Sequence, residues 1–284
     1  MILVLGATGN VGSGVVDLLR KDGIPVRALT RDPAKVALAS GVEVVRGDFR
    51  EPATIADALS GIDAVFVMAP VPLIAAHARM VAEMARRSGT RRIVLLSSLS
   101  AEQEPDNTPT VQHRAAEEAV RQSGCEWTIV RGGQFMSNSL RWAASIRSAH
   151  EVRPYVRNDP SAIIDPLDIA AVAATALMQP GHSGKIYGVT GGESLTPEEC
   201  TSILSRELGI ELTYVELSDE EAQSAYVALF GDTAEVREKL RTLRAVGVLP
   251  WQKARSTVRD VLGRPPRTFS QWAAANAAAF RGNA

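Results

Sequence analysis

The sequence predicts an α/β fold in which helices cover both faces of a parallel sheet, followed by a smaller and mainly helical C-terminal lobe. Over about the first 130 residues, short β-branched apolar runs alternate with longer stretches of helical periodicity, which is the pattern of a sheet wrapped by helices. The apolar runs are nearly continuous, as expected for strands buried on both faces. Glycine follows most of the helical stretches, where it commonly ends a helix.

The first part of the chain is predicted to contain strands and helices in strict alternation. The strands lie at residues 2–5, 26–29, 43–46, 64–67, 92–96 and 127–130. The helices between them lie at residues 11–21, 33–39, 54–59, 74–87 and 111–122. This number of repeats matches the full length of a doubly wound sheet.

The pattern changes after Arg131, where a Gly132-Gly133 turn precedes an irregular stretch that contains several prolines. Beyond it we predict strands at 185–189 and 211–217 and helices at 137–148, 168–178, 197–208, 219–230, 233–246, 254–262 and 269–280. We therefore assign residues 1–133 to the sheet domain, to which later elements return, and residues 134–284 to the smaller lobe. No repeat of solenoid type is visible.

Composition and charge exclude several classes of protein. The 31 basic and 32 acidic residues nearly cancel, so no strong positive field is expected for direct nucleic-acid or membrane binding. Cys125 and Cys200 lack the spacing of a disulfide framework or a metal site. A strand is predicted immediately after Met1, and no long uncharged apolar stretch follows. We expect a cytoplasmic protein; whether it forms a homodimer or binds a protein partner stays open.

A glycine-rich turn, Gly6-Ala7-Thr8-Gly9-Asn10-Val11-Gly12, joins the first predicted strand to the first helix. Glycine permits the tight turn and the close approach of the backbone to a pyrophosphate, and the helix start offers unpaired N–H groups to that anion. A simple tight turn is the alternative interpretation. The strand–turn–helix context favours a Rossmann-type dinucleotide-binding domain, with cofactor contacts at Gly6, Thr8, Gly9, Asn10 and Val11.

The end of the second strand indicates which dinucleotide is bound. An NAD site usually has an acidic residue there for the ribose 2′-hydroxyl, whereas this chain has Arg31, with Lys35 one turn further on. A guanidinium suits a 2′-phosphate, so we predict NADPH rather than NADH. An ordinary solvated surface charge is the alternative interpretation of Arg31. Asp32 precedes Pro33 and is expected to cap the following helix.

Two further strand ends carry candidate cofactor residues. Asp48 and Phe49 follow the third strand and could flank an adenine, with the carboxylate accepting from its amino group; a turn aspartate beside a buried phenylalanine is the equally weighted alternative. Ala69 and Pro70 follow the fourth strand, where they would lie against a ribose or the nicotinamide.

These motifs resemble the short-chain dehydrogenase/reductase superfamily, and more closely its atypical NmrA-like branch, which includes type 2 NAD(P)H:quinone oxidoreductases and redox-sensing regulators. The resemblance covers nearly the whole chain. It rests on the glycine turn at 6–12, RALTRDPAK at 27–35, GDF at 47–49, the segment from His113 to Gly124, the loop at 131–138 and DPLDIA at 165–170. It implies the cofactor contacts named above and places Ser97, His113 and residues 133–135 near the nicotinamide.

The chain departs from the superfamily at its catalytic pair. Ordinary members carry Tyr-xxx-Lys, in which the tyrosine passes a proton to a carbonyl oxygen. Alignment on Glu117 puts Pro109 at the tyrosine position and His113 at the lysine position. Because proline has no proton to give, carbonyl reduction by that pair is not expected. His113, with an ordinary pKa of about 6.5, could supply a proton or could only hydrogen-bond the ribose.

The loop after the sixth strand supplies candidate substrate residues, because open α/β sheets bind ligands at the carboxyl ends of their strands. Gly133, Gln134, Phe135 and Asn138 lie there. Relatives often have two aromatic residues at this loop, and Gln134 replaces one of them. Trp142 and Tyr155 are further candidates for the same cleft, although core packing is the more frequent role of such residues.

Two functions remain after these observations. The first is an NADPH-dependent oxidoreductase that transfers hydride to a small quinone- or enone-like substrate, with no metal. The second is a non-catalytic regulator that senses NADP(H). A third use of the bound cofactor, in isomerisation or epimerisation, carries less support, because the fold alone assigns no activity.

Overall fold

The computed structural model describes residues 1–36, 38, 40–70, 73–103, 108–244 and 249–281. The strands are β1 Ile2–Leu5, β2 Val26–Thr30, β3 Val42–Arg46, β4 Ala64–Val67, β5 Arg92–Ser98, β6 Glu126–Gly132, β7 Glu151–Val152, β8 Lys185–Val189 and β9 Thr213–Tyr214. The helices are α1 Gly12–Lys21, α2 Pro52–Ala58, α3 Ile74–Ser88, α4 Thr108–Arg121, α5 Ala143–Ala149, α6 Pro166–Met178, α7 Pro197–Leu208, α8 Asp219–Phe230, α9 Ala234–Leu243, α10 Thr257–Leu262, α11 Phe269–Ala275 and α12 Ala277–Arg281. Short 3₁₀ helices span Pro33–Lys35, Leu99–Glu102 and Met136–Trp142.

Seven strands form one parallel sheet in the order β3-β2-β1-β4-β5-β6-β8. The chain runs outward from β1 to β3, then returns to β4 on the other side of β1. This reversal opens a crevice at the carboxyl ends of β1 and β4, where doubly wound sheets bind their ligands. The predicted Rossmann-type fold is confirmed. A separate pair of short parallel strands joins β7 to β9.

Alternation along the buried strands sends side chains to the two faces of the sheet. On β1, Val4 faces a core formed with α1, α6 and α10, and Leu3 faces a second core formed with α2, α3 and α4. Both side chains are fully buried. Because each strand serves both cores, its sequence reads as a continuous apolar run rather than as an alternating one.

Most predicted elements are present, with shifted ends. The predicted helix at 33–39 is wrong in extent: the 3₁₀ helix Pro33–Lys35 gives way to extended backbone at Val36, while residues 37 and 39 lie outside the described part. Only Thr213–Tyr214 of the predicted strand at 211–217 pairs in a sheet. The last predicted helix is interrupted at Asn276.

Three other helix predictions also changed. The predicted helix at 137–148 begins as the 3₁₀ helix Met136–Trp142 and becomes α-helical only at Ala143. The predicted helix at 254–262 begins later, at Thr257, and the one at 233–246 ends at Leu243, with residues 245 and 246 outside the described part.

The second half of the chain returns to the sheet before it forms its own core. Helix α6 packs against α1, and β8 pairs with β6 as the last strand. A third core then gathers side chains from α5, α7, α11 and α12, including Phe269, Trp272 and Phe280. The boundary between residues 133 and 134 stays an interpretation. None of the described helices is both long and apolar enough to span a membrane.

Candidate active site

The glycine turn after β1 is tightly constrained by its neighbours. Gly6 has a φ of +66°, a conformation that favours glycine, and its carbonyl oxygen accepts from the N–H of Gly9 at 2.9 Å. A Cβ at Gly12 would lie only 2.1 Å from that same oxygen. The side chain of Met68, at the end of β4, closes the other side, since a Cβ at Gly6 would lie 2.6 Å from its sulfur.

The helix that follows the turn has a free amino terminus. No side chain caps the start of α1, whereas α7, α8 and α11 each begin with a complete capping box. Thr8 and Asn10 are exposed at the turn, and the Val11 side chain is buried beneath it. Uncapped N–H groups at the positive end of a helix suit a phosphate group, so the residues of this turn fit the pyrophosphate of a dinucleotide.

The charged side chains after β2 differ in whether they already form an ion pair. Arg31 is exposed and makes no ion pair with any described residue. The Lys35 ammonium lies 3.0 Å from Asp32 Oδ2. Asp32 occupies the N-cap position of the helix Pro33–Lys35, as predicted, but its carboxylate accepts no backbone hydrogen bond there and pairs with the Lys35 ammonium instead. Arg31 is therefore the cation of this segment that stays available for a ligand.

After β3, the carboxylate of Asp48 is hydrogen-bonded within the protein, and the ring of Phe49 is stacked on another ring. Asp48 is buried and accepts from the Arg50 backbone N–H at 2.9 Å and from its Nε at 3.0 Å. These bonds hold the pKa of Asp48 far below its usual value. Phe49 stacks on His77 with 3.6 Å between ring centroids. The arrangement favours the turn interpretation for Asp48, and no motif in the sequence indicated His77.

The segment after β4 leads into helix α3, which carries His77. Ala69 is half-buried and Pro70 is exposed. The carbonyl of Pro70 accepts from the N–H of Leu73 at 2.8 Å, which turns the chain toward α3. Residues 71 and 72 lie outside the described part.

A buried charge network joins β5, α4 and β6. Glu117 is 1% exposed, and its Oε1 accepts from Ser97 Oγ at 2.7 Å and from Arg131 Nε at 2.8 Å. Its Oε2 accepts from Arg131 Nη2 at 2.7 Å and from Arg121 at 2.9 Å. Burial raises the pKa of Glu117, but the bonds from Arg131 and Ser97 and the charges of Arg131 and Arg121 outweigh it, so the net pKa is lowered.

His113 lies at the edge of this network and is 9% exposed. Its Nδ1 is 3.5 Å from Ser97 Oγ. Burial lowers the pKa of His113 to about 4, although the charge of Glu117 opposes the change. The expectation of an ordinary pKa is therefore wrong. At neutral pH the imidazole is uncharged, so it can offer an N–H hydrogen bond but is not a reservoir of acidic protons.

A cavity of about 280 Å³ opens beside His113 at the carboxyl edge of the sheet. Its lining includes the predicted substrate residues Gly133, Gln134, Phe135 and Asn138 together with His113 and Pro109. Ser97 is not in the lining, because its hydroxyl is bonded inside the network; Ser98 and Ser100 line the cavity instead. The topology thus joins the loop after β6 to α4.

The far wall of the cavity contains the candidates Trp142 and Tyr155 together with residues that the sequence did not connect with the site. Tyr155 packs edge-on against Tyr226, with ring centroids 4.7 Å apart, and Tyr226 packs against Phe230 at 4.5 Å. Trp142 also lines the cavity. Arg141, Arg157 and Lys239 add positive charge to the lining. Helices α8 and α9 carry Tyr226, Phe230 and Lys239, and no local motif marks these positions.

Comparisons with known proteins agree with this geometry. Residues 6–180 match the profile of a family described as NAD(P)H-binding. The chain is 42% identical over 288 residues to the (4-alkanoyl-5-oxo-2,5-dihydrofuran-3-yl)methyl phosphate reductase of Streptomyces griseus, covering 99% of each protein. It is 37% identical over 294 residues to the NAD(P)H azoreductase of Xenophilus azovorans, again covering 99% of each.

A solved structure resembles the whole fold. The quinone oxidoreductase QOR2 of Escherichia coli, complexed with NADPH, superimposes with a TM-score of 0.84 at 24% identity, over 97% of this chain and 99% of that one. At this identity the likeness shows the fold alone.

Proposed function

Because this chain belongs to the NAD(P)H-binding family, within the atypical NmrA-like branch of the short-chain dehydrogenase/reductase superfamily, we propose that it is an NADPH-dependent reductase of a small conjugated substrate. One observation carries the proposal: the uncapped glycine turn and the 280 Å³ cavity both lie at the carboxyl edge of the same sheet. A cofactor held at the turn would extend along the edge where the cavity opens.

The cofactor contacts follow from the free donors at that edge. Gly6, Thr8, Gly9, Asn10 and Val11 would surround the pyrophosphate, with backbone N–H groups as the donors. The guanidinium of Arg31 would hold the 2′-phosphate, which favours NADPH over NADH. Lys35 has a weaker role because Asp32 already neutralises it.

The remaining contacts lie toward the two ends of the cofactor. The adenosine end would lie near Asp48, Phe49, Ala69 and Pro70. With the Asp48 carboxylate engaged by Arg50, we assign the adenine contact to the Phe49 ring and its stacked partner His77. At the other end, His113 would bind near the nicotinamide ribose, and Ser97 would act only through His113 and Glu117.

The substrate class follows from the absence of an acid at position 109. The relative of highest identity above is named for a furanone whose ring double bond is conjugated with two carbonyl groups, and the next is named for azo compounds. Both are electron-poor double bonds. Bound NADPH supplies the hydride in such a reaction. Hydride addition to a doubly conjugated C=C bond leaves charge spread over two oxygens, and this weakly basic anion needs no strong acid in the protein.

The chain's own residues then bind and orient the substrate rather than protonate it. The side-chain amide of Gln134 lines the cavity and makes no hydrogen bond to a described residue, so its N–H group can donate to a carbonyl oxygen. Neutral His113 offers a second donor. Donors aimed at developing charge lower the barrier without releasing a proton. Phe135 supplies a flat apolar contact, and solvent water delivers the last proton to carbon.

Consumption of NADPH, followed at 340 nm, tests the proposal. We expect turnover with a 2-acylbutenolide and with a naphthoquinone, and no turnover with the saturated acyl-lactone of the same size. NADPH deuterated at the transferred position should place deuterium on the β-carbon, detected by mass spectrometry. Tight NADPH binding without oxidation by any conjugated acceptor would reject the reductase and favour the sensing regulator that the missing Tyr-xxx-Lys pair also allows.

A further inference from the structure

The cavity contains more positive charge than its own acids neutralise. Arg141, Arg157 and Lys239 line it, and Asp159, which is exposed, is the one carboxylate among its described lining residues. By contrast, Arg131 on β6 forms an ion pair with Glu117, with 2.7 Å between Nη2 and Oε2. No described carboxylate lies within 4 Å of any of the three cavity cations. Among the described lining residues, cations therefore outnumber carboxylates three to one.

Arg141 is held in place by neutral partners. Its Nη1 donates to Asn138 Oδ1 at 2.8 Å and to Tyr155 Oη at 3.2 Å. Its guanidinium carbon lies 5.0 Å from the centre of the Phe230 ring. These contacts fix the side chain without neutralising it, and they use only one of its nitrogens. The remaining N–H donors of Arg141 make no bond to a described residue, so they are available to a ligand.

Lys239, Arg141 and His113 line the same cavity, so the two cations and the histidine face one space. Removal of its ammonium from bulk water lowers the pKa of Lys239, and the charge of Arg141 lowers it further. The charge of Lys239 in turn lowers the pKa of His113. Like charges held together without an acid are stabilised by a bound anion.

We propose that Arg141, Lys239 and Arg157 form a subsite for a phosphate monoester carried by the substrate. The charge is complementary, since a phosphate monoester is close to a dianion at neutral pH and cations predominate among the described lining residues. The guanidinium groups can hold phosphate oxygens with paired N–H donors, and the ammonium adds a point charge. The inference rests on the proposed reductase and specifies which substrates that site takes.

The subsite is separate from the phosphate contacts of the cofactor. Neither the glycine turn at 6–12 nor Arg31 belongs to the cavity lining. Arg141 instead lies in the 3₁₀ helix Met136–Trp142, Arg157 follows β7, and Lys239 lies on α9. An anion bound there would hold the substrate by one end and leave its conjugated group toward His113 and Gln134.

A matched pair of substrates tests the subsite in the holoenzyme. We compare a 2-acyl-3-(hydroxymethyl)butenolide with its phosphate ester, because the two share the reacting double bond. The wild type should show a higher kcat/KM for the ester. K239M and R141M should each lower kcat/KM for the ester by about 10- to 100-fold, as expected for a lost charged hydrogen bond, and leave the alcohol nearly unchanged. K185M, at an exposed lysine on the opposite edge of the sheet, should change neither.

Binding without turnover separates the two proposals. Phenyl phosphate is titrated by calorimetry into protein saturated with NADPH, so that the cofactor's phosphate sites are already filled. Binding by the wild type that K239M and R157M weaken supports the subsite even if no acceptor is reduced, an outcome that would reject the reductase alone. Equal losses for ester and alcohol in K239M, or phenyl phosphate binding that no cavity variant weakens, would overturn the subsite.

Discussion

The two regions that we assign to anionic ligands are built in opposite ways. The glycine turn at 6–12 uses backbone N–H groups from consecutive residues, and its shape is enforced by contacts of less than 3 Å that only glycine permits. The cavity uses side chains from β6, α4, α8, α9 and the loops between them. A site made of backbone donors can be recognised from one short sequence motif. A site made of side chains forms only when the fold brings distant segments together.

This difference also predicts how each region fails. At the turn, any added atom changes the position of several donors together, because the backbone moves as a unit. In the cavity, one side chain can be removed while the others keep their places, so losses should be graded and specific for the ligand. The cavity in turn depends on the buried network around Glu117, which positions α4 against β5 and β6.

The largest effect is expected at Gly12. In G12A, the new Cβ would lie 2.1 Å from the Gly6 carbonyl oxygen, so the turn or the start of α1 must move and the amide donors lose their alignment. We expect NADPH affinity to fall by about a thousandfold or more, equal to about 4 kcal/mol. Fluorescence titration of bound NADPH measures it.

The matched control lies at the other end of the same helix. Gly23 also has a positive φ, of +72°, but a Cβ there would meet nothing within 4 Å. G23A should cost about 1 to 2 kcal/mol of stability, because a residue with a Cβ is strained in the left-handed conformation, and should leave NADPH affinity intact. If G12A bound NADPH as tightly as the wild type, the turn would not be the pyrophosphate site.

The next effect tests the network that supports the cavity. E117A would leave Arg131 partly buried without its bidentate partner, and breaking a buried ion pair costs about 3 kcal/mol or somewhat more. Urea unfolding measures this loss. E118A, at the exposed neighbouring position, should cost less than about 0.5 kcal/mol. Similar losses for both variants would mean that Glu117 does not hold these elements together.

The ion pairs of Glu117 also predict how the stability of the fold changes at acid pH. The folded-state pKa of Glu117 is lowered, so its stabilisation is complete above the unfolded pKa of 4.5 and is lost as pH falls through the lower, folded value. The free energy of unfolding of the wild type should therefore lose the Glu117 contribution only in that acid range. In E117Q this pH-dependent decrease should be absent.

A third test concerns His113 at milder pH. Its folded pKa of about 4 lies below the ordinary 6.5, so the unfolded chain binds more protons between these values. Stability from this residue is complete above pH 6.5 and falls as pH drops toward 4, with about 2 kcal/mol lost between pH 7 and pH 5. H113Q should remove that slope from unfolding curves, while H150N, at an exposed histidine, should keep it. An unchanged slope in H113Q would show that burial does not shift this imidazole.

The sequence predicted the sheet, the turn and four cavity residues because each follows from a local signal. The strand positions come from buried apolar runs, and Gly133 to Asn138 follow directly from the carboxyl end of β6. Tyr226, Phe230, Arg141 and Lys239 were missed as site residues because their role depends on how α8 and α9 fold over the sheet. The ordinary pKa expected for His113 failed for the same reason, since burial is a tertiary property. Phe49 was found, but its stacking partner His77 comes from another element.

The smallest effect distinguishes the two charges after β2. Arg31 has no described ion-pair partner, whereas Lys35 is paired with Asp32 at 3.0 Å. R31A should weaken NADPH binding by about tenfold, the usual size of a lost charge-assisted hydrogen bond, and should change NADH binding much less. K35A should alter the ratio of the two affinities less than R31A does, because the Lys35 ammonium is already engaged by the Asp32 carboxylate. Calorimetric titration with both nucleotides gives the ratio for each variant. If R31A weakened the binding of both nucleotides equally, the guanidinium would not contact the 2′-phosphate. A preference for NADPH would then need another cation.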